Sequence, residues 1–283
     1  MHSSEIIEKC KSLRRKGFSL GDIVKKTGLP KTTVYYHIRD ITLSPADKKK
    51  IREKGKERAR QYIRKHVKGK CRGSITVSRP EGWSNELLLL TAHLIFDGEI
   101  TNGCIYGNRN LVLINRVKKL TENIFNLEPS SQKYCEESGV HEVSYYYVEL
   151  ANYFQKKAVQ IQDYIKEASL KEKRIFLRAF FDDEGCMLYD KKQNSRKVRG
   201  YQNNKDLLLL IKKLLQDLNI ESRLEKGSTW EVVVSKKENL IKFHNKINFS
   251  KRVYINPNRK NSLWEKKFQK RDLLDMAINS YVR

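Results

Sequence analysis

An internal repeat is the feature that most constrains the fold of this chain. Between Gly82 and the C-terminus, the same order of segments occurs twice: an apolar helix ending in acid-glycine, strand-like segments, a second helix, a β-rich run and a short closing helix. The acid-glycine pairs are Asp97-Gly98 and Glu184-Gly185, and the spacing between corresponding segments is nearly constant. Such spacing predicts a duplicated α+β unit with insertions in its loops.

Small residues mark one face of each apolar helix. An alanine stands five residues before each acid, where it lets two helices approach closely. A glycine follows each acid, and we expect it to be a left-handed helix C-cap. The predicted helix interface consists of Ala92, Gly98, Ala179 and Gly185. This packing would bring Asp97 and Glu184 face to face across a pseudo-two-fold axis.

Paired carboxylates at helix C-termini are electrostatically unfavourable, because the helix dipole is negative there and the two acids repel each other. A divalent cation bound between them removes the conflict, and Mg²⁺ prefers oxygen ligands. We therefore predict that Asp97 and Glu184 are catalytic metal ligands for Mg²⁺ at a phosphodiester. The alternative is that both are solvated helix ends.

The charge of the chain points to a polyanionic partner. It has 58 Lys+Arg and 33 Asp+Glu, a net charge of +25, which favours nucleic acid first and an acidic membrane surface second. No apolar run approaches the ~20 residues of a membrane span, and no secretory segment follows Met1. We expect a soluble, cytoplasmic protein. The five scattered cysteines argue against a disulfide framework and a structural zinc site.

Residues 3–41 are predicted to form three short helices. Ser19 with Asp22 is typical of a helix start, and Gly28 lies in the turn before the third helix. This pattern is that of a helix-turn-helix, whose second helix enters the major groove. The side chains predicted to contact DNA there are Lys31, Thr32, Thr33 and Tyr36.

A strongly basic helix follows, predicted to begin at Ser44-Pro45 with Asp47 in its first turn. From Ala46 to Arg72 there are 13 Lys+Arg and 3 Asp+Glu. Two interpretations stay open: a solvated linker helix and an arm that tracks DNA phosphates.

The two acid-glycine helices, Leu88–Gly98 and Phe176–Gly185, resemble the paired motifs of the LAGLIDADG homing endonucleases over roughly residues 84–283. The second motif is the closer match, since the first has His93 at a normally apolar place. The resemblance implies an α+β fold of two αββαββα units in a pseudo-two-fold monomer that cuts double-stranded DNA. The implied domains are 1–43 (helix-turn-helix), 44–82 (basic linker helix), 83–167 and 168–283 (the two units).

In that family the strands form a curved sheet along the major groove. The resemblance therefore implies DNA contacts from Thr101, Asn102, Tyr106, Asn108 and Arg109 in the first unit, and from Tyr189, Lys191, Asn194, Arg196, Arg199 and Gln202 in the second. Strand register decides which of these face DNA, and the sequence leaves it open. The family also places a basic residue near each active site, for which Lys251 and, in the first unit, Lys156 or Lys157 are the candidates.

Two other functions share this fold. One is a transcription regulator with a degenerate LAGLIDADG domain and a helix-turn-helix, and the other is an RNA maturase that binds its host intron. Such regulators tend to lack the acids and carry the helix-turn-helix after the LAGLIDADG part, so the acids here favour the nuclease. Because the chain begins with Met and lacks the terminal residues of an intein, we expect it to be free-standing.

Overall fold

The computed structural model describes residues 3–66, 79–257 and 262–281. The chain divides into two compact units, Met1–Cys71 and Arg72–Arg283. The predicted division into four segments stays a prediction. Residues 67–78 of the predicted linker, which include the end of the basic run and Cys71, lie outside the described residues.

The N-terminal unit begins with three helices, α1 (Ser4–Arg15), α2 (Leu20–Thr27) and α3 (Lys31–Ile38). They surround a small core of Cys10, Ile23, Val34 and Ile38. The Ser19 side chain accepts from the backbone N–H of Asp22 and starts α2. Gly28 ends that helix in the left-handed conformation at φ 71°, which glycine adopts without strain.

The basic helix α4 spans Pro45–His66. The Ser44 side chain caps it by accepting from the backbone N–H of Asp47. At 22 residues the helix is about 33 Å long. Most side chains described along it are exposed, because a helix that is polar all round has no face to bury.

The second unit contains both predicted repeats. The first comprises α5 (Asn85–Phe96), β1 (Gly98–Ile100), β2 (Cys104–Asn108), α6 (Leu111–Phe125), β3 (Ser131–Cys135), β4 (Val140–Tyr145) and α7 (Val148–Glu167). The second comprises α8 (Leu170–Glu184), β5 (Gly185–Asp190), β6 (Ser195–Tyr201), α9 (Lys205–Asp217), β7 (Arg223–Lys226), β8 (Trp230–Val234) and α10 (Lys237–Lys246). The antiparallel sheets have the orders β1-β2-β4-β3 and β5-β6-β8-β7, so the predicted αββαββα duplication is confirmed.

Helices α5 and α8 pack against each other between the two sheets. Ser84 caps α5, and Ser169 with Glu172 forms a capping box at the start of α8. Helix α5 contributes residues to both hydrophobic cores, which explains why it is apolar on every side. Ala92 and Ala179 are completely buried.

The two glycines after the acids are required for a different reason from the predicted one. Gly185 has extended backbone, with φ −91° and ψ 157°, and Gly98 is not among the glycines with positive φ. A Cβ at Gly98 would lie 2.6 Å from the carbonyl oxygen of Leu94, and one at Gly185 would lie 2.4 Å from that of Phe181. The expectation of left-handed caps is therefore wrong: glycine is needed because the chain leaves the helix without room for a Cβ.

A C-terminal extension, residues 247–257 and 262–281, follows the second repeat. Its helix α11 (Lys270–Asn279) packs against β5 and α10. Earlier in the extension, Val253 is completely buried in the core of the first repeat. The backbone N–H of Lys270 donates to the Val253 carbonyl at 2.8 Å. The extension thus ties the two repeats together.

In the described part of the chain, no helix has the length and apolar character needed to cross a membrane. The cysteines described there, Cys10, Cys104, Cys135 and Cys186, have free thiols.

Candidate active site

The two predicted catalytic acids lie at corresponding ends of the central helices. Asp97 is the C-cap of α5 and Glu184 is the last residue of α8. Burial and the nearby carboxylate of Asp183 raise the pKa of Asp97 to about 6. Burial, Asp97 and Asp183 raise the pKa of Glu184 to about 8. The pair is thus close enough for the charge of one acid to oppose ionisation of the other.

Asp97 is held by an asparagine network. The Asn108 side-chain amide donates to Asp97 Oδ2 at 2.6 Å, and Asn108 Oδ1 accepts from the backbone N–H of Asn110 at 2.8 Å. The backbone N–H of Tyr254, in the C-terminal extension, donates to Asn110 Oδ1 at 2.8 Å. Asn108 was predicted to contact DNA, but it is only 7% exposed and instead orients a catalytic candidate.

Asp183 brings a third carboxylate to the site. Its side chain is completely buried. It accepts from Tyr106 Oη at 2.7 Å and lies 2.8 Å from His93 Nδ1. These contacts join the two repeats, because His93 and Tyr106 belong to the first and Asp183 to the second. They also explain why a histidine stands at a normally apolar place of the first motif.

Asp182 lies in a separate ion pair. Arg116 Nη1 donates to its carboxylate at 3.1 Å, and the backbone N–H of Ser250 donates to it at 2.8 Å. Arg116 Nη2 also donates to Ser250 Oγ at 2.7 Å. A buried carboxylate with these partners has its charge satisfied within the protein.

The lysine near the acids is Lys270, which the sequence reasoning missed. It is buried, and its Nζ donates to the carbonyls of Asp182 at 2.6 Å and Phe181 at 3.3 Å. Its charge favours ionisation of both Asp97 and Glu184, against the larger effect of burial. A lysine starting a helix some 85 residues after the second motif carries no sequence signal for this role.

The lysines that were predicted for the site differ in their exposure to solvent. Lys251 is exposed, as is Lys156. Lys157 is buried, with Nζ donating to the Glu81 carbonyl at 2.8 Å and lying 4.6 Å from the ring centre of Trp83. A catalytic role for Lys251 stays a prediction.

Asp97 and Glu184 have a donor set that fits Mg²⁺. They are oxygen ligands, and their raised pKa values mean that cationic neighbours compensate their charge incompletely. No group of three or more His, Cys, Asp or Glu residues that could hold a metal ion occurs among the described residues. If Asp97 and Glu184 bind a metal, they supply only part of its coordination sphere, and phosphate and water oxygens would supply the rest.

Strand register determines which predicted DNA contacts lie on the open faces of the sheets. Tyr106 and Tyr189 are 1% and 4% exposed and lie on the helix-packed faces, so direct DNA contacts from them are wrong. Arg196 is paired opposite Tyr189 and donates to Ser280 of α11 at 2.5 Å. It therefore lies on the same side as Tyr189 and is partly exposed, and DNA contact by Arg196 stays a prediction.

Arg199 does lie on the open face of the second sheet, opposite Cys186. It forms a bidentate ion pair with Glu231. Other predicted contacts in loops and at strand ends are at least partly exposed: Thr101, Asn102, Arg109, Lys191, Asn194 and Gln202. DNA contact by these side chains remains a prediction.

The predicted recognition helix α3 exposes Lys31, Thr32 and Tyr36, while Thr33 is partly buried. Tyr36 is 65% exposed, and the Arg39 guanidinium lies 5.5 Å from its ring centre. This surface is polar, cationic and aromatic, and its binding to DNA stays a prediction.

Sequence comparison identifies one domain. Residues 171–248, from α8 to just past α10, match the family described as "LAGLIDADG-like domain". The chain therefore contains a LAGLIDADG-like domain in its second repeat. Comparison with the curated proteins finds no match.

Several solved structures are similar in fold. The N-terminal LAGLIDADG domain of DUF199/WhiA is 15% identical, with a TM-score of 0.47 over 61% of this chain and 87% of that one. The homing endonuclease I-DmoI in complex with DNA and Mn is 16% identical, with a TM-score of 0.44 over 58% and 96%. Full-length DUF199/WhiA from Thermotoga maritima is 12% identical, with a TM-score of 0.49 over 71% and 63%. Identities of this size do not transfer an activity.

Proposed function

We propose that this chain, whose residues 171–248 form a LAGLIDADG-like domain, is a site-specific, Mg²⁺-dependent double-strand DNA endonuclease that acts as a pseudo-symmetric monomer. One observation carries the proposal. Asp97 and Glu184 end two packed helices, one from each repeat, and each has a pKa raised by burial and by neighbouring carboxylates. Buried acids with raised pKa values lower the stability of the folded protein. Destabilising groups of this kind are expected at functional sites.

The two acids are the residues that would hold Mg²⁺. When bound, the cation would neutralise charge on a phosphodiester and its leaving oxygen. Asn108 orients Asp97, and the close approach of α5 and α8 sets the separation of the acids. Because each repeat supplies one acid, a single chain has what is needed to act on both strands of a duplex.

The distribution of charge supports DNA as the substrate. Residues 1–71 contain 21 Lys+Arg and 7 Asp+Glu, so they carry +14 of the total +25. Helix α4 alone has 10 Lys+Arg and 3 Asp+Glu. A long, exposed cationic helix beside the predicted helix-turn-helix would supply phosphate contacts, which position a protein without reading bases. We propose that α3 and α4 add affinity for duplex DNA to the binding surface of the repeats.

A plasmid-cleavage assay tests the proposal. Supercoiled plasmids carrying a library of target sequences are incubated with the protein in Mg²⁺ or EDTA, and linearised molecules are recovered and sequenced at the cut. We expect Mg²⁺-dependent linearisation at one site, lost in Asp97→Asn and Glu184→Gln while both variants still bind that site. Glu167→Gln is the matched control, since Glu167 is an exposed acid at the end of α7.

Other outcomes would lead to other functions. Tight, sequence-specific DNA binding with no cutting in any divalent cation would refute the endonuclease and indicate a transcription regulator. Preferential binding of a structured intron RNA would indicate a maturase. Loss of folding in both acid variants would mean that the acids are structural.

A further inference from the structure

Two effects disfavour a lysine at position 270: the dipole of its helix and its burial. It is the first residue of α11, and the positive end of a helix dipole repels a cation. It is also only 6% exposed, although lysine is almost never buried unless it is paired. Residues that break local rules in this way are expected at functional sites.

The hydrogen bonds of Lys270 go to the acid-bearing end of α8. Its Nζ donates to the last carbonyls of that helix, those of Asp182 and Phe181, where the dipole attracts a cation. Among the described residues, Lys270 Nζ donates to these two backbone carbonyls, and neither acceptor is a carboxylate. The Asp182 carboxylate has Arg116 as its cation. Among the described residues, Lys270 therefore does not form an ion pair with one particular carboxylate.

The remaining groups around this ammonium are mostly acidic. Burial lowers the pKa of Lys270, and the charges of Asp182, Asp183 and Asp97 act against that effect, as does that of Cys186. The Phe249 ring centre lies 5.6 Å from Nζ. Its charge reaches Glu184 as well. One ammonium thus acts on both catalytic candidates.

The first repeat has no corresponding element. Helix α7 ends at Glu167 and α8 begins at Leu170, so no segment there could carry an equivalent lysine. The C-terminal extension supplies Lys270 for both halves of the site. Its packing into the first repeat through Val253 fixes the extension relative to both acids.

We infer that Lys270 is a positioning residue that serves as the resident cation of the acid site, and that it makes tight binding of a divalent cation depend on the phosphates of bound DNA. In the free protein its ammonium holds the end of α8 and offsets part of the acids' charge. A divalent cation entering the same site is repelled by it. Phosphates would add the negative charge that allows both cations to be present. This last step rests on the proposed function.

The test measures Ca²⁺ binding by isothermal titration calorimetry without DNA at pH 7, 8 and 9, because the acids have raised pKa values and burial lowers the pKa of Lys270. We expect weak binding to the wild type. In Lys270→Met we expect binding to tighten by about tenfold or more, because removal of a unit positive charge relieves repulsion of a divalent ion. A lysine that only supports the fold would weaken binding when it is lost, so the sign of the change separates the two roles.

Controls keep the result interpretable. Lys266→Met removes an exposed lysine of the same extension and should leave Ca²⁺ affinity unchanged, and Lys270→Arg should restore weak binding. Lys270→Gln removes the charge but keeps a donor for the helix carbonyls, so it replaces the methionine variant if that variant does not fold. The inference is overturned if a folded, uncharged variant binds Ca²⁺ equally or more weakly. It is also overturned if the wild type already binds Ca²⁺ tightly without DNA.

The calorimetry requires no cleavage, so the two proposals fail separately. A wild type that cuts no DNA, with tighter Ca²⁺ binding in Lys270→Met, would refute the endonuclease and keep the resident cation. Mg²⁺-dependent cutting by the wild type, with unchanged Ca²⁺ affinity in Lys270→Met, would support the endonuclease and refute the role of Lys270 as a resident cation.

Discussion

Replacing Glu184 by glutamine is expected to stabilise the protein at alkaline pH in the absence of divalent cations. The pKa of Glu184 rises from an ordinary value of 4.5 to about 8 in the folded protein, chiefly through burial. A raised folded-state pKa means that the protonated acid is tolerated below pH 4.5 and that stability is lost as pH rises through about 8. Glutamine resembles the protonated acid and does not ionise.

The size of the effect follows from the pKa difference. Each unit corresponds to about 1.4 kcal/mol, so the full shift sets an upper bound of about 5 kcal/mol at pH 9. Glu184 is partly exposed, and solvent screening reduces electrostatic energies at such positions. We expect Glu184→Gln to raise the free energy of unfolding by about 2–3 kcal/mol at pH 9 and by less than about 1 kcal/mol at pH 5.

Urea unfolding in EDTA at the two pH values measures this difference. Tryptophan fluorescence reports on the second unit alone, because Trp83, Trp230 and Trp264 are the three tryptophans of the chain. Glu167→Gln, which changes an exposed acid, should shift stability little at either pH. A Glu184→Gln variant that is less stable at pH 9, or equally stabilised at both pH values, would refute the electrostatic reasoning.

Three further predictions concern packing and DNA binding. Arg116→Met should lower the free energy of unfolding by about 3 kcal/mol, because it leaves a buried aspartate without its cation; a change in urea unfolding below about 1 kcal/mol would contradict this. Gly185→Ala should cost about 3 kcal/mol or more, since its Cβ would meet a backbone carbonyl at 2.4 Å, whereas Gly55→Ala in exposed α4 should stabilise by up to about 1 kcal/mol. The double variant Lys31→Ala, Tyr36→Ala should weaken duplex binding about tenfold and lower the salt dependence of the affinity in fluorescence anisotropy, and an unchanged affinity would exclude α3 from the interface.

Local patterns were the predictable part of the site. The helix starts at Ser19 and Ser44 were identified because a helix start is specified within four residues of chain. The acid-glycine pairs were identified because they recur in the same order of segments. Their glycines were explained incorrectly, since the clash of a Cβ with a helix carbonyl depends on the direction in which the chain leaves the helix.

Strand orientation was the first thing the sequence left undecided. Adjacent strand residues point to opposite faces, so a shift of one residue exchanges the buried and open sets. Tyr106 and Tyr189 look like DNA-contacting side chains by type, yet both are buried. Register is set by pairing between strands, which single-chain patterns do not specify.

By itself, the sequence determined the duplication, the fold class and the position of Asp97 and Glu184 at the ends of two helices, because these follow from periodicity and from motifs read along the chain. Only the tertiary structure decided what surrounds those acids. Asn108, Asp183 and Lys270 come from a strand, a helix and a C-terminal extension, and long-range packing brings them together. The electrostatics of the site depend on these distances in space, and the spacing of residues along the chain does not encode them.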